Sequence, residues 1–173
     1  TFPKPIIAAV HGPALSGAGE LLAMCDLVVA SETASFGHPA GRDLGIPPTV
    51  FMWPVLIGMR KTKEMLFTGQ VIMAEEAKSL GMVNHVVKPE ELTDFTMEMA
   101  EEIARRPMMG LKLAKQSVNQ AEEAQGLYTA LQSAMGMQQL GHSHWRIVNE
   151  NGAAVNLEGG ALMKEIFAKH KKP

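Results

Sequence analysis

The chain has 173 residues, 46% hydrophobic and 20% charged, with a formal net charge of −2. That is the composition of one globular domain with a sizeable core, and the near-balanced charge leaves no electrostatic footprint for nucleic acid. No window approaches 18 uncharged apolar residues and Thr1-Phe2-Pro3-Lys4-Pro5 has no secretory core, so the expectation is a soluble cytoplasmic protein that does not engage a membrane, with an organelle left open.

In chain order, the apolar run at residues 6–10 reads as a strand, residues 17–25 as a crossover helix, and residues 27–30 and 34–37 as further strands, in a mainly parallel arrangement. Continuous apolar character in Ile6-Ile7-Ala8-Ala9-Val10 and Leu27-Val28-Val29-Ala30 predicts interior strands covered on both faces. Beyond Pro47 the pattern turns helical: residues 50–57, then 61–67 stopped by Gly69, then 74–80 stopped by Gly81. A last strand at 82–87 precedes a helix that opens at Pro89-Glu90-Glu91. It carries Leu92, Phe95, Met99 and Ile103 along one face and ends at Arg105-Arg106-Pro107. Helical stretches at 111–120 and 127–140 follow, then a polar segment and an amphipathic piece at 161–169. Residues 1–88 thus read as an α/β core and residues 89–173 as a helical association region of the same domain. Thirteen methionines, mostly beside leucines at helical spacing, read as flexible core filling, and the single Cys25 as a small buried hydrophobe rather than a nucleophile.

The chemistry concentrates between the first strand and the first helix, in His11-Gly12-Pro13-Ala14-Leu15-Ser16-Gly17-Ala18-Gly19-Glu20. Glycine is poor inside helices, so Gly17 and Gly19 in a first turn point to close approach by another chain or a ligand. The unpaired N–H groups of such a turn, at the positive end of the helix dipole, suit the oxygen of a polarised carbonyl. Glu20 has two readings. A capping box from Ser16 needs its acid at Gly19, one residue earlier, and Glu20 is set among Ala, Leu and Met, which favours a site. Acids that merely complement the dipole are common in first turns, which favours a surface role, and residue types alone weigh the two evenly. The dinucleotide-binding fingerprint and the Gly-x-Ser-x-Gly nucleophile elbow are both absent from this stretch.

Residues 5–21 resemble the signature of the crotonase (enoyl-CoA hydratase/isomerase) superfamily. The resemblance continues through Cys25-Asp26-Leu27-Val28-Val29-Ala30, Ala34-Ser35-Phe36-Gly37, Leu44-Gly45-Ile46-Pro47, Leu66-Phe67-Thr68-Gly69 and Ala74-x-x-Ala77-x-x-x-Gly81-Met82-Val83, covering about residues 4–140. It implies a partial crotonase-like superhelix of ββα units with a C-terminal helical trimerisation region, forming homotrimers or dimers of trimers. It also implies an acyl-CoA thioester as substrate, with coenzyme A as part of that substrate and no separate cofactor. Gly17 then supplies one oxyanion-hole N–H, and Glu20 falls where hydratases place a glutamate that handles the attacking water. Ala14, Leu15, His38, Pro39 and Ala40 are implied as pocket lining.

Two departures qualify the implied reaction. Hydratases carry a second glutamate after the Phe-Gly-x-Pro strand, and here Phe36-Gly37-His38-Pro39 is followed by Ala40. General acid–base help is worth about 10² to 10⁴ in rate, so two-carboxylate hydration is handicapped unless another group substitutes. Asp43, one helical turn past Ala40, is a candidate, and a solvated turn formed with Arg42 is the equal alternative. The family's other oxyanion donor comes from a segment before the first strand, so the expectation is a piece of a longer chain that is inactive by itself. The reading is therefore an enoyl-CoA hydratase adding water to a 2-enoyl-CoA; the alternatives are isomerisation, decarboxylation or thioester hydrolysis through the same enolate, or a catalytically inactive association module. His142 and His144, beside Trp145, have no further ligands at useful spacing, so no metal is expected. Lys164, Lys169, Lys171 and Lys172 suit either a coenzyme A phosphate or an exposed helix face.

Overall fold

The computed structural model describes residues 2–49 and 52–148, with the side chains of Arg42, Ile147 and Val148 outside the description. The chain begins with two successive strand–strand–helix units. The first is β1 (Ile7–Val10), β2 (Pro13–Leu15) and α1 (Gly17–Leu22), and the second is β3 (Leu27–Ser31), β4 (Ser35–Gly37) and α2 (Pro39–Leu44). In each unit the first strand enters one sheet and the second strand another. Register pairs Ile7 with Leu27 and Val10 with Ala30 in the first sheet, and Pro13 with Ser35 and Leu15 with Gly37 in the second, all parallel.

The remaining elements complete these layers. Helices α3 (Trp53–Ile57) and α4 (Met59–Thr68) pack on each other; β5 (Ile72–Met73) runs antiparallel to β4; α5 (Ala74–Ser79) leads to β6 (His85–Val87), parallel to β3. The sheets are therefore ordered β1-β3-β6 and β2-β4-β5. A short 3₁₀ turn at Pro89–Glu91 opens α6 (Leu92–Ala104), followed by α7 (Met108–Ala124) and α8 (Leu127–Val148). The core runs between the sheets and the α3–α5 layer, where Ala30, Ala34, Phe36, Met65, Ile72, Ala74 and Ala77 are wholly shielded from solvent.

Most elements sit where the apolar pattern places them, and the differences have local causes. Residues 13–15, part of the stretch between the first strand and the first helix, form β2, because three residues suffice once β4 offers a ladder. The strand at 82–87 shrinks to β6: Met82 and Val83 are buried in the core, and the side chain of Asn84 accepts the Val28 N–H at 2.8 Å in place of a ladder bond. Strand β3 is interior as expected, but β1 lies at the edge of its sheet among the described residues and is mostly half-buried, so its apolar character does not mean two covered faces here. Helices α7 and α8 extend past residues 111–120 and 127–140, since no proline or capping glycine interrupts either one. The predicted face of α6 holds, with Leu92 buried and Phe95, Met99 and Ile103 half-buried. The amphipathic piece at 161–169 and the C-terminal lysines lie outside the described residues.

Two ties anchor the later helices. Lys115 of α7 donates to Asp26 Oδ2 at 2.6 Å and to the Lys4 carbonyl at 3.0 Å, while the same Asp26 oxygen accepts the Ile6 N–H at 2.6 Å. Gly141 of α8 sits against the loop after α2: a Cβ there would lie 2.7 Å from the Gly45 carbonyl oxygen and 3.1 Å from Pro47 Cδ. Only a hydrogen at Gly141 lets the helix approach this closely.

Candidate active site

Strands β2 and β4 are parallel neighbours, and Leu15 lies opposite Gly37, so the two chains leave the sheet side by side. The first turns into α1 and the second into α2, bringing both helix starts together at the C-terminal ends of the strands, where open α/β sheets form their binding crevices. The turn into α1 is tightly held. Ser16 adopts φ 50° and ψ −122°, a left-handed value unusual for a residue with a Cβ, and its N–H donates to the Gly37 carbonyl at 2.9 Å. Its hydroxyl makes no capping bond, which removes the simple N-cap reading of Ser16. Gly19 permits the helix to lie on β2, since a Cβ there would sit 3.1 Å from the Ala14 carbonyl oxygen. At Gly17, the first helical residue, a Cβ would meet nothing within 4 Å, so there is open space beside the backbone of this turn.

Glu20 projects from this turn with its side chain only 13% exposed. Its Oε1 accepts the backbone N–H of Thr49 at 3.0 Å and its Oε2 accepts the Thr49 hydroxyl. A surface acid serving the helix dipole needs neither burial nor two donors from a loop 29 residues away, so the geometry favours the site reading. His38, which precedes α2, is buried, and its Nδ1 lies 4.0 Å from Glu20 Oε1. Its Nε2 lies 2.9 Å from the Ile46 carbonyl oxygen, which can only accept. Burial holds the His38 imidazole below its ordinary pKa, partly opposed by the Ile46 bond and by the charge of Glu20.

The other sequence candidates are dispersed around this pair. Ala14, Leu15 and Pro39 are buried, as is His38, while Ala40 is half-buried. Asp43 does share α2 with Ala40, three residues on, and is half-buried; the expected helical turn is present. None of these five lining candidates borders the cavity of about 110 Å³ on the far side of α1, which Gly19, Leu22, Cys25, Phe36, Trp53 and Met82 help to line. Cys25 is half-buried rather than buried; its thiol faces the Leu21 carbonyl at 3.7 Å, and burial together with Asp26 raises its pKa, which opposes thiolate chemistry. His142 and His144 are exposed on α8, and among the described residues no group of three or more potential ligands could hold a metal. Thr49 and Ile46 were not singled out by sequence: both act from a loop that only the fold carries to Glu20 and His38, and the one signal was the family-like Leu44-Gly45-Ile46-Pro47.

The family model described as enoyl-CoA hydratase/isomerase matches residues 1–152. The chain belongs to this family. Over 119 residues it is 42% identical to a short-chain-enoyl-CoA hydratase of Clostridium acetobutylicum, covering 67% of this chain and 45% of that protein. A crotonyl-CoA hydratase of Syntrophomonas wolfei is 38% identical, covering 78% of this chain and 51% of that protein. The crystal structure of a probable enoyl-CoA hydratase from Mycobacterium smegmatis superposes with a TM-score of 0.81 at 44% identity, covering 85% of this chain and 60% of that one. The chain thus spans about half the length of the curated relatives it matches. This family member has the crotonase fold, and its ββα units, its parallel register and the Glu20 turn are the parts of that fold seen here.

Proposed function

We propose that this chain carries the enolate-handling half of an acyl-CoA site, in a protein that adds water to a 2-enoyl-CoA. The observation that carries the reading is the shielded Glu20 carboxylate, held by Thr49 beside a strained turn with open space at Gly17. In this reading the Gly17 N–H takes the thioester oxygen, and charge developing there on the way to the enolate is stabilised by a donor already in place. Glu20, held by Thr49, removes a proton from the attacking water or returns one to the α-carbon. Ala14, Leu15, His38, Pro39 and Ala40 form the floor and wall of the acyl site, with coenzyme A entering as part of the substrate. The relatives' printed names, short-chain-enoyl-CoA hydratase and crotonyl-CoA hydratase, support a short acyl chain.

Ala40 favours a second reading. With a methyl group where a second carboxylate is implied, one acid shuttling a proton between carbons accounts for double-bond migration, decarboxylation or thioester hydrolysis through the same enolate, and Asp43 is the carboxylate on α2 that could restore a pair. The experiment is turnover of crotonyl-CoA and of a 3-enoyl-CoA by the full-length protein and by its Glu20→Gln variant. Hydration that falls by about 10² to 10⁴ in the variant supports the reading; equal turnover by both proteins rejects Glu20 as the acid–base group.

Assembly is part of the proposal. Met108, Met109, Leu113 and Val118 of α7 and Tyr128, Met135, Met137 and Leu140 of α8 are exposed, an apolar surface suited to burial between subunits of a homotrimer or a dimer of trimers. No helix among the described residues is long and apolar enough to cross a membrane; a cytoplasmic location accords with that.

A further inference from the structure

Beyond the acid–base role of Glu20, the geometry points to His38 as its proton partner: a proton that reaches Glu20 during turnover can pass to His38 Nδ1 and return. The inference rests on the acyl-CoA reading of the same site and deepens it. Three observations carry it. The Ile46 carbonyl oxygen, 2.9 Å from Nε2, cannot donate, so Nε2 carries the hydrogen and the neutral ring presents Nδ1 as a bare lone pair. Nδ1 is completely buried and has no hydrogen-bond partner among the described residues, an arrangement proteins rarely leave in place without a use. It faces Glu20 Oε1 at 4.0 Å, and Glu20 is the charged group that acts on the ring.

Two acceptors facing each other across 4.0 Å gain nothing until one proton lies between them. At that distance they are about 1 Å beyond a hydrogen bond, so a shift of about that size between carboxylate and imidazole brings them into bonding range. The balance is simple. The O–H bond of protonated Glu20 breaks, an N–H bond forms at His38 Nδ1, and the neutral pair becomes a carboxylate beside an imidazolium. The Nε2–H remains on Ile46 throughout, so the ring need not turn. Glu20 is left ionised and able to act as a base again. A carboxylate pair could hold the proton in the same way, but α2 offers the methyl of Ala40 two residues beyond His38. His38 is buried in the floor of the site with its Nδ1 toward Glu20, so it acts on the reaction through Glu20 and is a positioning residue.

The bland alternative is a buried imidazole retained only to cap the Ile46 carbonyl. His38→Gln separates the two, because the Gln amide can still donate to Ile46 but cannot accept and release a proton. The first measurement is the imidazole nitrogen shifts of His38 against pH, without substrate, in the protein and in Glu20→Gln. The expected result is an Nε2–H tautomer at neutral pH and a titration that moves to lower pH when the Glu20 charge is removed. The second is crotonyl-CoA turnover: His38→Gln loses about tenfold to a hundredfold in kcat with KM within about twofold, and adding it to Glu20→Gln costs little more. An unchanged His38 titration in Glu20→Gln overturns the pairing, as does a His38→Gln enzyme within about twofold of the parent kcat. If the full-length parent protein hydrates no enoyl-CoA, the hydratase reading fails while the titration alone still decides the proton coupling.

Discussion

Replacing one hydrogen on α8 tests whether this helix braces the loop that carries Ile46 and Thr49. A methyl group at Gly141 would lie 2.7 Å from the Gly45 carbonyl oxygen, about 0.7 Å short of ordinary contact, with Pro47 Cδ at 3.1 Å and Ile46 Cα at 3.4 Å. The obstacle is backbone, so the helix or the loop must move, and overpacking of this kind costs about 1–3 kcal/mol. Against that stands the gain of about 1 kcal/mol for alanine over glycine inside a helix. Gly136→Ala isolates this gain, because a Cβ there meets nothing within 4 Å and the position is exposed on the same helix. The two substitutions should therefore shift thermal stability in opposite directions, Gly136→Ala upward by about 2–4 °C and Gly141→Ala to no change or downward by up to about 8 °C. Scanning calorimetry of both variants at one protein concentration measures the difference. The loop that shifts carries the Ile46 carbonyl under His38 and the Thr49 donors to Glu20, so Gly141→Ala should also slow turnover, while Gly136→Ala leaves it intact. If Gly141→Ala stabilises the protein as much as Gly136→Ala does, α8 does not press on that loop and the bracing argument is wrong.

Met65→Ala empties a fully shielded position of α4 and is expected to cost about 2–5 kcal/mol, read as a fall in the urea midpoint at constant m-value. His38 gives a pH dependence with a definite sign. Its folded pKa is lowered, so as pH falls below the ordinary histidine value of about 6.5 the unfolded chain takes up a proton before the folded one does. The stability contributed by the neutral ring is complete above that pH and is lost progressively as pH falls toward the folded value. Comparison of urea unfolding at pH 7.5 and pH 5.5 should show part of this loss disappearing in His38→Gln; an identical pH slope would exclude the contribution.

Glu20 illustrates what residue types can and cannot convey. Its place four residues after Ser16, amid apolar neighbours, marked it as unusual, yet a dipole-matching surface acid fitted the same sequence equally well. What sets it apart from a surface acid is Thr49, 29 residues away, whose N–H and hydroxyl bind the carboxylate. Nothing periodic links the two positions, because contacts between loops leave no repeat in a sequence. His38 shows the same limit: its approach to Glu20 depends on Leu15 lying opposite Gly37 in a parallel pair, which sets α1 and α2 side by side.

The sequence by itself determined the order and kind of the main elements, since those are set by apolar periodicity, by glycines that end helices with a left-handed turn at Gly69 and Gly81, and by Pro89 at a helix start. The same local information placed Gly17 and Glu20 in one turn. Only the tertiary structure decided that β1 stands at a sheet edge, that three residues at 13–15 become a strand, and that α1 and α2 start side by side. It also decided that the acid of the first ββα unit meets the histidine of the second. Those outcomes depend on register and on which surfaces meet, and the free energy that selects them comes from burial between segments far apart in the chain.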